Sequence, residues 1–169
     1  MKLIASIIAV FLALSCAKGA PPTREEVSSA IALLETSCLT NGSVEAARVV
    51  VNFGKESPEV QVSFTSNTVP WLPEKWGLEP KMEKTIRSML LAAYCAGNIK
   101  SQLAAGKATD DPYAGWLLVC KCYAQFRTKV LFSSPSIDAL NGRRKEGTLS
   151  QYARDIVKDA QKDATQQIH

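Results

Sequence analysis

The fold is decided by the stretch Asp111-Pro112-Tyr113-Ala114-Gly115-Trp116-Leu117-Leu118-Val119-Cys120-Lys121-Cys122-Tyr123-Ala124-Gln125-Phe126-Arg127. Aspartate followed by proline is typical of a helix start, because Asp caps the first free N–H groups and Pro fits the first helical position. Apolar side chains then recur at helical spacing, and two of the chain's five cysteines lie among them. We therefore predict a core helix that carries Cys120 and Cys122.

The cysteines that follow residue 19 predict a disulfide-stapled domain. They are Cys38, Cys95, Cys120 and Cys122. An even number in an oxidising compartment indicates two disulfides. Cys120 and Cys122 point about 200° apart on a helix, so they cannot be joined to each other without breaking it. We expect them to be joined to Cys38 and Cys95, in either of the two possible orders.

The N-terminus predicts export. A basic start at Lys2 precedes an apolar run from Leu3 to Leu14 and then several small residues, which is the pattern of a secretory signal. Cleavage after Gly19 would leave a single helical domain over residues 20–169. Alternatively, Ala13-Leu14-Ser15-Cys16 resembles a bacterial lipobox, which would make Cys16 a lipid anchor. The run is shorter than the roughly 20 residues that span a bilayer, so we predict no transmembrane span and a periplasmic or secreted location.

The charge balance argues against a nucleic-acid partner. Removing Lys2 and Lys18 with the signal leaves 18 of the 20 basic residues against 16 acidic ones, a net charge of +2. Domains that bind nucleic acid usually carry a clear basic excess, because phosphate contacts dominate their affinity. We expect no nucleic-acid partner.

Helical patterns on both sides of residues 111–127 predict a mainly α fold. Thr23 and Glu26 have the spacing of a capping box, and the longest candidate helix, over residues 81–107, contains small side chains that allow close helix packing. A short helix over residues 134–140 and a last helix from Thr148 follow. We predict a small bundle of four to five helices.

One region predicts β-structure. Val49, Val51 and Phe53 alternate with other residues, and after an interruption Val60 and its alternating neighbours do so again. This pattern favours a β-hairpin near residues 48–65, although residues 43–53 could also form a short helix. The second strand is the more secure of the two.

The proline-rich stretch from residue 68 to residue 80 contains Trp71, Glu74 and Trp76. Indole faces stack on sugar rings, and a carboxylate between them could act as a general acid, so these three residues are a candidate glycan-binding site. That hypothesis requires them to line one open cleft. In the simpler interpretation, which we favour, the two tryptophans pin the connection onto the core.

Common catalytic and metal sites are not predicted. The only histidine is His169, the last residue, which leaves no partner for a Ser-His-Asp or Cys-His arrangement and too few ligands for zinc. The sequence contains no phosphate-binding loop and no dinucleotide fingerprint, so we expect no metal and no cofactor. Carboxylate catalysis and lysine-assisted serine chemistry stay open.

Two short motifs carry a family resemblance. Tyr94-Cys95-Ala96-Gly97-Asn98-Ile99 and the helix opening Thr148-Leu149-Ser150-Gln151 are similar to motifs of exported immunity proteins of the Rap1a/Tai kind. Those proteins bind and block cell-wall-cutting toxins in the bacterial periplasm. The likeness covers about a quarter of the chain. This sequence departs from the family in its greater length, its predicted hairpin and Cys120-x-Cys122, so no binding residue is carried over.

We favour a non-enzymatic, exported domain whose partner is another protein, of an inhibitor or immunity type. Two alternatives belong to other classes. One is a cell-wall or glycan-acting protein that uses Trp71, Glu74 and Trp76. The other is a carrier of an apolar ligand, which requires an internal cavity between the helices.

Overall fold

The structure, a computed structural model, describes residues 20–166 and the side chains of residues 20–160. The predicted signal segment, the proposed lipid anchor at Cys16 and the terminal His169 lie outside the described residues. Among the described residues, no helix is both long and apolar enough to cross a membrane.

Six helices make up the described part of the chain, which confirms the mainly helical class. They are α1 (Arg24–Thr36), α2 (Asn41–Glu56), α3 (Pro80–Ala105), α4 (Pro112–Arg127), α5 (Pro135–Lys145) and α6 (Leu149–Gln166). The predicted number of four to five is wrong, because α2 forms where a hairpin was expected. The predicted stop of α5 after Leu140 is also wrong, since that helix continues to Lys145.

Side-chain caps begin α1, α4 and α5 as predicted. The Thr23 hydroxyl accepts from the Glu26 N–H at 3.2 Å, and the Glu26 carboxylate accepts from the Thr23 N–H at 2.7 Å. Asp111 and Ser134 cap α4 and α5, each directly before a proline. These local interactions fix where the chain turns into each helix.

α3 and α4 form the centre of the bundle and approach each other closely. A Cβ atom on Gly97 would lie 2.2 Å from the Ala114 carbonyl oxygen, and one on Gly115 would lie 2.6 Å from the Tyr94 ring. The backbones can meet only because both positions lack a side chain. Trp116 and Tyr123, both fully buried on α4, extend the core beyond this crossing.

The predicted β-hairpin is wrong, and its first half is helix α2. The buried side chains of α2 include Ala46, Ala47, Val50 and Val51, which lie one helical turn or one residue apart and so form a single stripe. The alternation of Val49, Val51 and Phe53 therefore arose by chance within a helical pattern.

The second half, residues 60–65, forms no helix and pairs with no strand. Val60 packs into the core, as the alternation predicted. The backbone of this segment is hydrogen-bonded to a side chain instead of to a strand. Gln61 N donates to Gln102 Oε1 at 2.8 Å, and Gln102 Nε2 donates to Gln61 O at 2.6 Å. A carboxamide from α3 thus replaces the strand that the sequence pattern implied.

Candidate functional site

Trp71 and Trp76 are both buried, and they do not line an open cleft. The Glu74 carboxylate lies between them as a structural acceptor: it receives hydrogen bonds from Trp76 Nε1 at 3.1 Å, Ser134 Oγ at 2.5 Å and Ser136 N at 2.8 Å. Burial tends to raise the pKa of Glu74, but these hydrogen bonds outweigh it and hold the pKa below its ordinary value. The carboxyl group is therefore ionised at neutral pH, and it is unsuited to act as a general acid.

Arg87 explains why this connection is rigid. Its guanidinium group donates to the carbonyl oxygens of Trp71 at 3.0 Å and Glu74 at 2.7 Å, and also to Leu72 O. It lies 4.5 Å from the centre of the Trp76 ring and so covers one indole face. The requirement for a glycan site is not met, and the segment is a connection pinned onto the core.

One disulfide joins Cys38, in the turn between α1 and α2, to Cys122 on α4. This pair belongs to one of the two predicted orders. The predicted second disulfide is wrong: Cys95 and Cys120 are buried free thiols.

Helix geometry keeps the two free thiols apart. Cys95 is on α3 at the level of the crossing near Gly115, whereas Cys120 lies five residues farther along α4, about 7 Å along its axis. Their electrostatic surroundings also differ: Asp110 and Lys55 act on Cys95, whereas Arg144 and Asp138 act on Cys120. Each thiol therefore faces a different part of the molecule.

The free thiols are poor nucleophiles and poor ligands. Burial raises the pKa of Cys95 to about 12 and the pKa of Cys120 to about 11, so both stay protonated at neutral pH. Among the described residues, no group of three His, Cys, Asp or Glu side chains could hold a metal ion.

The exposed apolar side chains point to a binding surface. In the described part of the chain, the large exposed hydrophobic residues are Leu33, Leu39, Val44, Met82, Tyr113 and Leu131. Three of these six lie around the turn between α1 and α2: Leu33 is 38% exposed, Leu39 37% and Val44 56%. Leu33 packs beside Gly42, whose Cβ would lie 3.3 Å from Leu33 Cδ2, so the two helix ends share this apolar surface.

The last turns of α4 lie against this region. Cys122 is bonded to Cys38, and Gln125 Oε1 accepts from Cys38 N at 2.8 Å, so the end of α4 lies against the α1–α2 turn. Lys129 N and Val130 N then both donate to Phe126 O at 2.9 Å, which keeps the following loop at this end of the helix. Leu131 in that loop is 95% exposed. We call Leu33, Leu39 and Val44 the disulfide corner.

The corner is rigidly supported. Besides the disulfide and Gln125, the buried Ser43 hydroxyl donates to Ser37 O at 2.7 Å and accepts from Thr40 N at 3.3 Å. Exposed apolar side chains on a fixed backbone are typical of protein-binding surfaces, because little conformational freedom is lost on binding.

The sequence interpretation did not single out any residue of the disulfide corner. A signal existed for two of them: Leu39 and Val44 are large apolar residues in a short segment without charge, on either side of the polar run Thr40-Asn41-Gly42-Ser43. Leu33 gave no comparable signal.

The described residues line clefts that are open to solvent, among them three of about 350 to 380 Å³. An apolar-ligand carrier needs an enclosed cavity, so these clefts do not favour that alternative.

No family model, curated protein or solved structure gives a match to this chain. The resemblance to Rap1a/Tai immunity proteins therefore rests on the two short motifs alone.

Proposed function

We propose that this chain is an exported, non-enzymatic helical domain that binds another protein, as an inhibitor or an immunity-type partner. The observation that carries the proposal is the disulfide corner, where three large apolar side chains are exposed around a turn held by a disulfide and by Gln125.

Two further observations agree with the proposal. The candidate acid Glu74 and the free thiols are engaged or buried in ways that suit structure rather than chemistry. The Cys38–Cys122 disulfide is compatible with an exported location, as is the resemblance to Rap1a/Tai proteins.

Co-purification tests this function. The chain with a C-terminal tag is expressed in its own organism and recovered from the exported fraction without denaturant. We expect one protein to elute with it at constant stoichiometry in size-exclusion chromatography. A chain that elutes alone and cleaves cell-wall glycan or peptide would contradict the proposal.

A further inference from the structure

A cleft of about 380 Å³, open to solvent, lies between the start of α4 and one side of α6. Four charged residues line it. Asp110 and Asp111 come directly before α4, whereas Arg154 and Lys158 belong to α6. The acids and the cations therefore lie on opposite walls of one cleft, at the end of α4 away from the disulfide corner.

The opposite charges of this cleft do not neutralise each other. Within the described part of the chain, no ion pair joins either aspartate to Arg154 or Lys158. The Arg154 guanidinium group donates instead to the uncharged Gln151 Oε1 at 2.7 Å. Both signs of charge thus stay available to a molecule that enters between the walls.

Asp110 is the acid that can accept from a ligand. Asp111 is occupied as the cap of α4, since its two oxygens accept from Ala114 N and Ser101 Oγ. The hydrogen bonds to Asp110 both reach Oδ1, and both come from neutral donors, Asn98 Nδ2 and Ser63 N. Oδ2 can therefore accept from a further donor, and a positive group there would stabilise a carboxylate that burial disfavours.

The rest of the cleft suits a small ligand with charged ends. Arg154 and Lys158 are exposed and lie four residues apart, so they share one face of α6. Pro112, Ala153 and Val157 line the same cleft and give it apolar surface. Its volume falls within the roughly 300–1,000 Å³ that is typical of small-molecule sites.

We propose that this cleft binds a zwitterionic ligand of the size of a short peptide, with a free ammonium group at Asp110 and a free carboxylate at Arg154 and Lys158. The uncharged middle of the ligand lies over the apolar residues of the cleft. Opposite charges that are held apart on two walls are complementary to a molecule that carries both charges at its ends. This site goes beyond the proposed protein-binding function and does not depend on it.

Peptide titration tests the chemistry of the ligand. The isotope-labelled chain is titrated at pH 7 with L-alanine peptides of two, three and four residues, and amide shifts are followed by NMR. Two matched derivatives of each peptide are used, one with an acetylated amino group and one with an amidated carboxylate. We expect saturable shifts around Tyr113 and Ala153, and a dissociation constant about tenfold or more higher for each derivative.

Variants test which residue meets which end of the peptide. Asp110→Asn should bind the free peptide no better than the acetylated one, and Arg154→Gln/Lys158→Gln should bind it no better than the amidated one. Lys84→Gln is the control, because Lys84 is an exposed lysine on α3 that does not line the cleft, and it should bind like the wild type. The derivatives report on the ammonium contact in the wild-type chain, so this test does not depend on the folding of Asp110→Asn.

Two outcomes would overturn the inference. One is the absence of saturable shifts at the cleft with any of the free peptides. The other is equal affinity for the free, acetylated and amidated peptides, which would show that the charged walls take no part in binding. Neither outcome affects the proposed function, which co-purification tests separately.

Discussion

At the scale of single residues, Asp110 is the most informative side chain. It accepts hydrogen bonds from Asn98 Nδ2 at 2.5 Å and from Ser63 N at 3.3 Å, and so ties the segment of residues 60–65 to α3. Burial raises the pKa of this carboxyl group above its ordinary value, more than its hydrogen bonds lower it. The charged form is therefore less favourable in the folded protein than in the unfolded chain.

The sign of this shift gives a prediction for Asp110→Asn. Because the folded pKa is raised, the carboxylate lowers stability at neutral pH, and the wild type recovers stability as pH falls toward the ordinary carboxyl range. Asparagine keeps an oxygen acceptor without the charge. We expect the variant to be at least as stable as the wild type at pH 7 and to lose its advantage at acidic pH. Urea unfolding at several pH values measures this, and a variant that is much less stable at pH 7 would contradict it.

Local residue chemistry was largely predictable from sequence, whereas distant polar pairing was not. The Thr23–Glu26 capping box and the Asp111 cap were found because their partners are three residues away. The bonds of Gln102 to the Gln61 backbone join residues 41 positions apart. No spacing rule could have indicated such a pair.

At the scale of helices and segments, the α3–α4 crossing depends on two glycines. Gly97→Ala would place a methyl group 2.2 Å from the Ala114 carbonyl oxygen, which is too close for two non-bonded atoms. We expect this variant to lose about 1–3 kcal/mol or more of unfolding free energy. Gly142→Ala is the matched control, because that helical position has nothing within 4 Å, and there alanine should add about 0.4–1 kcal/mol. Chemical denaturation of both variants measures the difference, and equal stabilities would contradict the close crossing.

The segment of residues 60–65 gives a second prediction at this scale. Gln102→Leu removes the side chain that satisfies the Gln61 N–H and C=O, so we expect a loss of about 2–4 kcal/mol and faster amide hydrogen exchange over residues 60–65. Gln61→Leu is the control, since the exposed side chain of Gln61 has no part in these bonds. Unchanged exchange in Gln102→Leu would show that the segment is held by other contacts.

Element boundaries were predictable where caps and turns agreed with the apolar pattern. The prediction for the region after Asn41 was wrong because its valines fit a strand period and a helical period together. The structure resolves the ambiguity through burial, since Ala46, Ala47 and Val50 need one helical face to reach the core. Tertiary packing, absent from any short window of sequence, decides between the two.

At the scale of the whole molecule, the disulfide links the turn between α1 and α2 to α4 at the centre of the bundle. It joins residues 84 positions apart, so replacing it by Cys38→Ala/Cys122→Ala should cost about 2–5 kcal/mol. The same variant should bind its partner more weakly, because the corner loses its main brace. Thermal unfolding with and without reductant measures the stability, and reductant should leave the double variant unchanged because Cys95 and Cys120 are already free.

The helical class was foreseeable from sequence, and the Cys38–Cys122 disulfide belongs to one of the two orders that the sequence left open. The disulfide corner was not foreseeable. Ion pairs such as Glu35–Lys100 cross 65 positions and are set by the fold. A surface at the turn after α1 that is braced by the end of α4 exists only once the bundle has assembled.

The Cys38–Cys122 disulfide also has a mechanical consequence. If the chain is pulled from its two ends, tension passes from Cys38 directly to Cys122, and the intervening residues bear no load. The disulfide removes 84 residue steps from the part of the chain that bears tension. The oxidised chain should therefore stretch about 28 nm less than the reduced one, at about 3.4 Å per residue. Helices α2 and α3 would stay unstretched inside this loop while the segments outside it extend.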